Sequence, residues 1–162
     1  MGGNPHIYYN RRIQMSNYST DADLLEYEPQ IKEYGVIDFT DYHAKTTADV
    51  QRYLRIHWWP RVSRNYTTSS LRTHLEMDAT KLQAAQLKRS AVFHVLAYYI
   101  LPQLTQHGAE PDRFRMMIDF YKAKWQEEID LVLQDGVEYD FNADSTIGTT
   151  EKQTVHYNRL VR

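Results

Sequence analysis

The chain has no cysteine, so disulfides, thiol nucleophiles and cysteine-ligated zinc are outside its chemistry. That absence fits a reducing compartment. Glycine is scarce, six in 162 residues, and no G-x-S-x-G, Walker or Rossmann pattern occurs. An excess of one charge is also missing. The net charge is −2, which argues against a chain-wide polyanion binder. No apolar run reaches membrane-spanning length, and the best, Ala91 to Leu101, is too short. The opening stretch, Met1 to Tyr9, has no signal-peptide apolar core. His6 stands where a myristoylation signal takes Ser or Thr. The seven histidines are scattered, with no H-E-x-x-H. His94 reads as a hydrogen-bonded packing residue of a helix. With none of these signatures present, an enzyme reading has no positive support, and no cofactor is expected.

Large aromatics are present in force, thirteen Tyr and three Trp. Such residues fill cores and are enriched at protein contacts. Hydrophobic content of 42% with 25% charged residues marks a globular chain with its own core.

Three segments carry helical periodicity. The first is expected from about Thr46 to Trp59, with Thr46 and Asp49 in capping-box spacing and Pro60 ending it. Val50, Tyr53, Leu54, His57 and Trp58 form its stripe. The second runs from about Asp78, a capping residue, to Gln106. Leu82, Ala85, Ala91, Val92, Val95, Leu96, Tyr99 and Ile100 form a broad apolar face, and Pro102 predicts a kink near Tyr98. The third runs from Pro111 to Gln134, with Phe114, Met117, Ile118, Tyr121, Trp125, Ile129 and Val132 on one side. Gly108 and Gly136 close the second and third segments. The short link His107 to Glu110 makes these two helices an antiparallel hairpin. Tyr121 and Trp125 are expected to face Val92, Val95 and Tyr99. Before the helices, Asp21 to Tyr34 suggests a short helical turn, and Val36 to Tyr42 a short extended piece.

The predicted fold is all-α: a helical hairpin plus a shorter helix, with an extended N-terminal arm and a C-terminal tail. The expected division is arm and short turn over 1–34, a helical domain over 35–151, and a docking tail over 152–162.

Two stretches carry candidate function. Gln51 to Arg72 contains Arg52, Arg55, Arg61, Arg64 and Arg72 with no Asp, Glu or Lys, interleaved with Tyr53, Trp58, Trp59 and Tyr66. Arg with aromatics suits a protein interface or nucleic-acid contacts. The plainer reading is a solvated loop whose aromatics belong to the core. Asp140 to Glu151 approaches an EF-hand loop. Asp140, Asn142, Asp144, Thr146 and Glu151 hold ligand positions, but Ser145 stands where the sharp turn takes Gly. The favoured reading is a structural turn with no metal, in which Asp140, Asn142 and Asp144 accept backbone N–H bonds. Ile147 would pin the loop and Glu151 close it. Three features favour that reading: Ser145 would pay for a positive φ, the helix stops at Gly136 before the loop, and the stretch from Lys152 onward is short and polar.

Several of these motifs together resemble the head-tail connector (adaptor, or neck) proteins of long-tailed bacteriophages. The similarity rests on Leu87-Lys88-Arg89-Ser90, Gly108 to Asp112, Tyr121-Lys122, Glu127-Glu128, Gly136 to Asp140 and the tail Arg159 to Arg162. It covers about Gly35 to Arg162 and is strongest from Ala79 onward. The resemblance implies a non-enzymatic virion subunit, a homo-oligomeric ring, usually twelve-fold, beneath the portal protein. It implies a further contact to the next neck or tail component, a DNA channel without sequence-specific binding, and no membrane. Its place would be the virion neck, assembled in the host cytoplasm. The tail Tyr157, Asn158, Arg159, Leu160, Val161 and Arg162 would reach the portal, and Arg61, Arg64 and Arg72 would serve assembly contacts. Two other readings stand beside it. One is a calcium-responsive helical binding protein built on Asp140 to Glu151. The other is a small nucleic-acid-binding helical protein built on the Arg-rich stretch.

Overall fold

In the computed structural model, residues 16–35, 38–63, 76–107 and 111–154 are described. The fold is all-α, with one small two-stranded ribbon.

α1 is Asp21–Leu25. Thr20 caps it by accepting from the Asp23 amide, while Asp23 accepts from the Thr20 amide in return, so two free donors are satisfied. A one-turn 3-10 segment, Ile31–Tyr34, follows and ends at Gly35 with φ +92°, a left-handed stop that suits glycine. Leu24 and Ile31 point into the core.

α2 is Thr40–His57, eighteen residues. It starts earlier than the Thr46 expected from capping-box spacing. Asp38 accepts the Thr40 N–H at 2.8 Å and so serves the true start. Thr46 and Thr47 lie buried inside the helix and make tertiary contacts instead. Thr47 Oγ1 accepts from the Tyr18 N–H at 3.0 Å, and Thr46 Oγ1 lies 3.4 Å from His94 Nδ1. Of the expected extended piece, Thr40, Asp41 and Tyr42 are helical. α3, Trp59–Val62, continues the chain for one turn past a break at Trp58.

The second helix starts later than expected. Asp78 caps a 3-10 turn, Ala79–Lys81, and Leu82 and Gln83 are extended. α4 is Ala84–Val95. At the place of the expected kink stands a π-helical turn, Leu96–Ile100, leading into α5, Leu101–His107. Pro102 brings no N–H for the Tyr98 carbonyl, and the widened turn accommodates that loss. α6 is Pro111–Asp135 and lies against α4 and α5 as the second arm of the hairpin. Ala85 is exposed, whereas Leu87, outside the expected stripe, is fully buried.

From Ser90 to Ala97 every residue is buried. α4 is therefore the central helix, with both α2 and α6 packed on it. The core forms two clusters along it. One gathers Leu24, Ile31, Phe39, Val92, Leu96, Ile100, Leu104, Phe114 and Tyr121. The other gathers Val50, Leu54, Trp58, Leu87, Ala91, Ile129, Leu133, Val137 and Tyr139. Tyr121 joins Val92 and Val95 as expected, and its hydroxyl donates to Glu28 at 2.6 Å. Trp125 is only half-buried and touches both clusters, with ring contacts to Tyr53, His94 and Tyr98.

Candidate functional site

Beyond α6 the chain turns at Gly136, φ +105°, whose N–H returns to the Val132 carbonyl at 3.1 Å. A Cβ here would meet the Lys152 backbone at 3.2 Å, so close approach as well as φ selects glycine. The approach is that of a ribbon. β1, Val137–Glu138, pairs antiparallel with β2, Lys152–Gln153. Tyr139 to Glu151 is the connection between them.

Inside that connection, carboxylates replace a backbone ladder. Asp140 accepts from the amides of Asp144 (3.2 Å) and Ser145 (2.9 Å), one on each oxygen. Asn142 Oδ1 accepts from the Asp144 amide at 2.9 Å, and Asp144 Oδ1 from Thr146 at 2.8 Å. Glu151, 7% exposed, accepts from Phe141 and Asn142 on Oε1 and from Gly148 on Oε2. All but the Asn142 bond go to carboxylate oxygens, the stronger kind of acceptor. They drive Ala143 to φ +61° and Ser145 to φ +66°. Ser145 thus adopts the left-handed conformation that its side chain was expected to resist, and the Asp140 bond to its amide offsets that cost.

Asp140, Asp144 and Glu151 each bring one oxygen to within 4.8 Å of the other two. Asn142 and Thr146 lie on the exposed rim. A cation there would compete with the amides that these oxygens already serve.

The loop is fastened to the helices at several points. Leu82 bridges Tyr139 in antiparallel fashion. The Gln83 N–H donates to the Glu138 carbonyl, and the Asp140 N–H to the Lys81 carbonyl. Gln86 on α4 donates to the Gly136 carbonyl and accepts the Glu138 N–H. Trp58 Nε1 donates to the Gln153 carbonyl at 3.0 Å. Tyr139 and Phe141 pack their rings on Trp58 and Trp59. Ile147, expected to pin the loop, is half-buried and lines a shallow pocket together with Thr80, Leu82 and Gln83 of the segment before α4. The aromatic anchors were not found from sequence. The alternation of Tyr139 and Phe141 with Asp140 was the available signal.

The Arg-rich stretch is split by the fold. Arg52 and Arg55 lie on the exposed flank of α2, and Arg61 is exposed on α3. Trp58 is fully buried and Trp59 nearly so, so these two rings belong to the core. Arg64, Arg72 and Tyr157, Asn158, Arg159, Leu160, Val161 and Arg162 lie outside the described residues, as does Met1 to Met15 of the arm.

Two histidines are buried. His94, 6% exposed, is stripped of water by Tyr98, Trp125 and the α2 face, and burial pulls its pKa down to about 4. His43 sits between the Ser19 hydroxyl (2.8 Å) and Asp21 (3.1 Å). Burial lowers its pKa against the pull of Asp21. Both are packing residues that fasten helices, as the sequence suggested for His94. Tyr99 donates to Asp49, and burial followed by that bond pushes its pKa up to about 12. No family model matches the chain, and no curated protein or solved structure matches it.

Proposed function

We propose that this chain is a non-enzymatic structural subunit, a head-tail connector of a long-tailed bacteriophage. In this reading it forms a ring, twelve-fold in the usual arrangement, that joins the portal to the next neck or tail component. It extends the DNA channel without reading sequence, and it resides in the virion neck after assembly in the host cytoplasm. The observation that carries the reading is the order and bracing of parts. An antiparallel hairpin (α4 and α5 with α6) leads into a clamped acidic loop, and β2 then delivers the chain toward a basic tail at a fixed place. That order is the one on which the resemblance rests.

Electron microscopy of the full chain mixed with the portal of the same phage tests this. The expected result is a ring stacked on the portal. Deleting Tyr157 to Arg162 is expected to abolish the association and leave helicity intact. Replacing Arg61→Glu and Arg64→Glu is expected to impair assembly. Absence of portal association by the intact chain overturns the reading.

The clustering of Asp140, Asp144 and Glu151 favours a second reading, a calcium-responsive binding protein. Calorimetric titration separates the two. Micromolar calcium binding that also raises the melting temperature selects the second. A third reading, a small nucleic-acid binder, requires steep salt-dependent DNA affinity of the free subunit.

A further inference from the structure

We propose that the outward flank of α2 in one copy docks side by side, in parallel, on the outward flank of α6 in the next copy. This rests on the reading of the chain as a ring subunit, and it names the surfaces that close the ring.

Both flanks are exposed and both carry apolar residues with nothing over them among the described residues. On α6, Met116, Phe120 and Leu131 are 69%, 55% and 51% exposed. Helical geometry puts them on one line, because three- and four-residue steps return to the same face. On α2 the corresponding residue is Ile56, 60% exposed.

The charges are arranged in opposite order along the two helices. The α2 flank begins with acidic Asp41 and ends with basic Arg52 and Arg55. The α6 flank begins with basic Arg113 and ends with Glu127, Asp130 and Asp135. Laid parallel, one register matches residues 45–56 of α2 with residues 119–131 of α6. Arg52 meets Glu127, Arg55 meets Asp130, Ile56 meets Leu131, the small Ala48 meets the small Ala123, and Lys45 meets Asp119 and the ring of Phe120. An antiparallel alignment sets like charges against each other at both ends. Glu127 pairs with Lys124 on its own helix at 2.8 Å, with its side chain 59% exposed, so it can accept a second cation.

The fold independently requires the parallel direction. α2 runs antiparallel to α4: Tyr42 meets Tyr99 and Gln103, Thr46 meets His94, and Val50 and Leu54 share a cluster with Leu87 and Ala91. α6 also runs antiparallel to α4: Phe114 shares a cluster with Leu104, Tyr121 meets Phe93, and Ile129 and Leu133 lie with Leu87. α2 and α6 therefore point the same way. Rotation about an axis along the bundle preserves that direction between copies. Height agrees as well. Tyr53 touches Trp125 within one copy, so Arg52 and Glu127 stand within about one helical turn of the same level, roughly 5 Å. A head-to-tail contact with little rise per copy is compatible with closure into a ring.

The test uses the full chain, which has no cysteine of its own. Ile56→Cys and Leu131→Cys are made as separate single variants and mixed under mild oxidation, with and without portal. The expected result is cross-linking between the two variants at about tenfold or more over either variant with itself. Equal or greater self-cross-linking, or no excess in either condition, overturns the proposal. A second measurement uses charge. Arg52→Glu with Arg55→Glu is expected to weaken self-association about tenfold or more. Adding Glu127→Arg and Asp130→Arg to the same chain is expected to restore it, and failure to restore overturns the pairing. Specific cross-linking without portal association supports these surfaces while removing the connector reading. A portal-bound ring without it does the reverse.

Discussion

From Ala84 to Asp135 order comes from buried apolar side chains, whereas from Tyr139 to Glu151 it comes from carboxylates that accept backbone N–H groups. In the hairpin the contacts are non-directional and spread over many residues, so no single hydrogen bond decides the shape. In the loop most residues stay exposed, and a few oxygens set the path of the backbone. The two regions therefore fail differently. The hairpin responds to lost volume, and the loop to lost acceptors. They meet where Trp58 and Trp59 pack on Tyr139 and Phe141 and Gln86 holds β1, so damage to one reaches the other through named contacts.

The largest effect is expected from the hairpin. Leu96→Ala removes a fully buried side chain from the central helix and is expected to cost about 3–5 kcal/mol in a denaturant titration. A loss below about 1 kcal/mol would show that the site collapses to fill the void.

The next effect is a pH dependence that belongs to the hairpin core. His94 is neutral in the folded state, with its pKa lowered by burial to about 4, against the usual 6.5 of an exposed histidine. The unfolded chain takes up the proton first as pH falls. Stability is thus complete above about pH 6.5 and is lost as pH drops toward 4, by about 3 kcal/mol in all. The lowered pKa of His43 acts in the same direction. His94→Leu is expected to flatten most of this slope in melting curves between pH 7 and 4. An unchanged slope would assign the acid sensitivity elsewhere.

A smaller effect is expected in the loop. Glu151→Ala strands the amides of Phe141, Asn142 and Gly148, with an expected cost of about 2 kcal/mol. Hydrogen exchange is expected to accelerate at Phe141 and Asn142 while the α4 amides stay protected. Uniform acceleration would mean that loop and hairpin open as one unit.

The smallest effect has the opposite sign. Ser145→Gly removes the cost of a side chain at φ +66° and is expected to stabilise by up to about 1 kcal/mol. A lower melting temperature for this variant would mean that the Ser145 side chain contributes more than its backbone costs.

The sequence by itself determined whatever depends on near neighbours in the chain. The stripes of the second and third helices, the stop at Gly136, the disturbance ahead of Pro102 and the Asx turns of Asp140, Asn142 and Asp144 were all legible, because each arises within about one or two turns of backbone. Only the tertiary structure decided the rest. Thr46 and Asp49 have capping spacing, yet Thr46 lies buried against His94 and Asp49 accepts from Tyr99, since a distant helix offers these groups better-placed partners. Trp58 and Trp59 sit beside arginines in sequence and look like a binding surface. Burial against Tyr139 and Phe141 turns them inward, and Arg52 and Arg55 remain outside. The opposite charge order along α2 and α6 is written in the residues. That the two helices run in the same direction is decided by their packing on α4, antiparallel to each, a constraint that no local spacing contains.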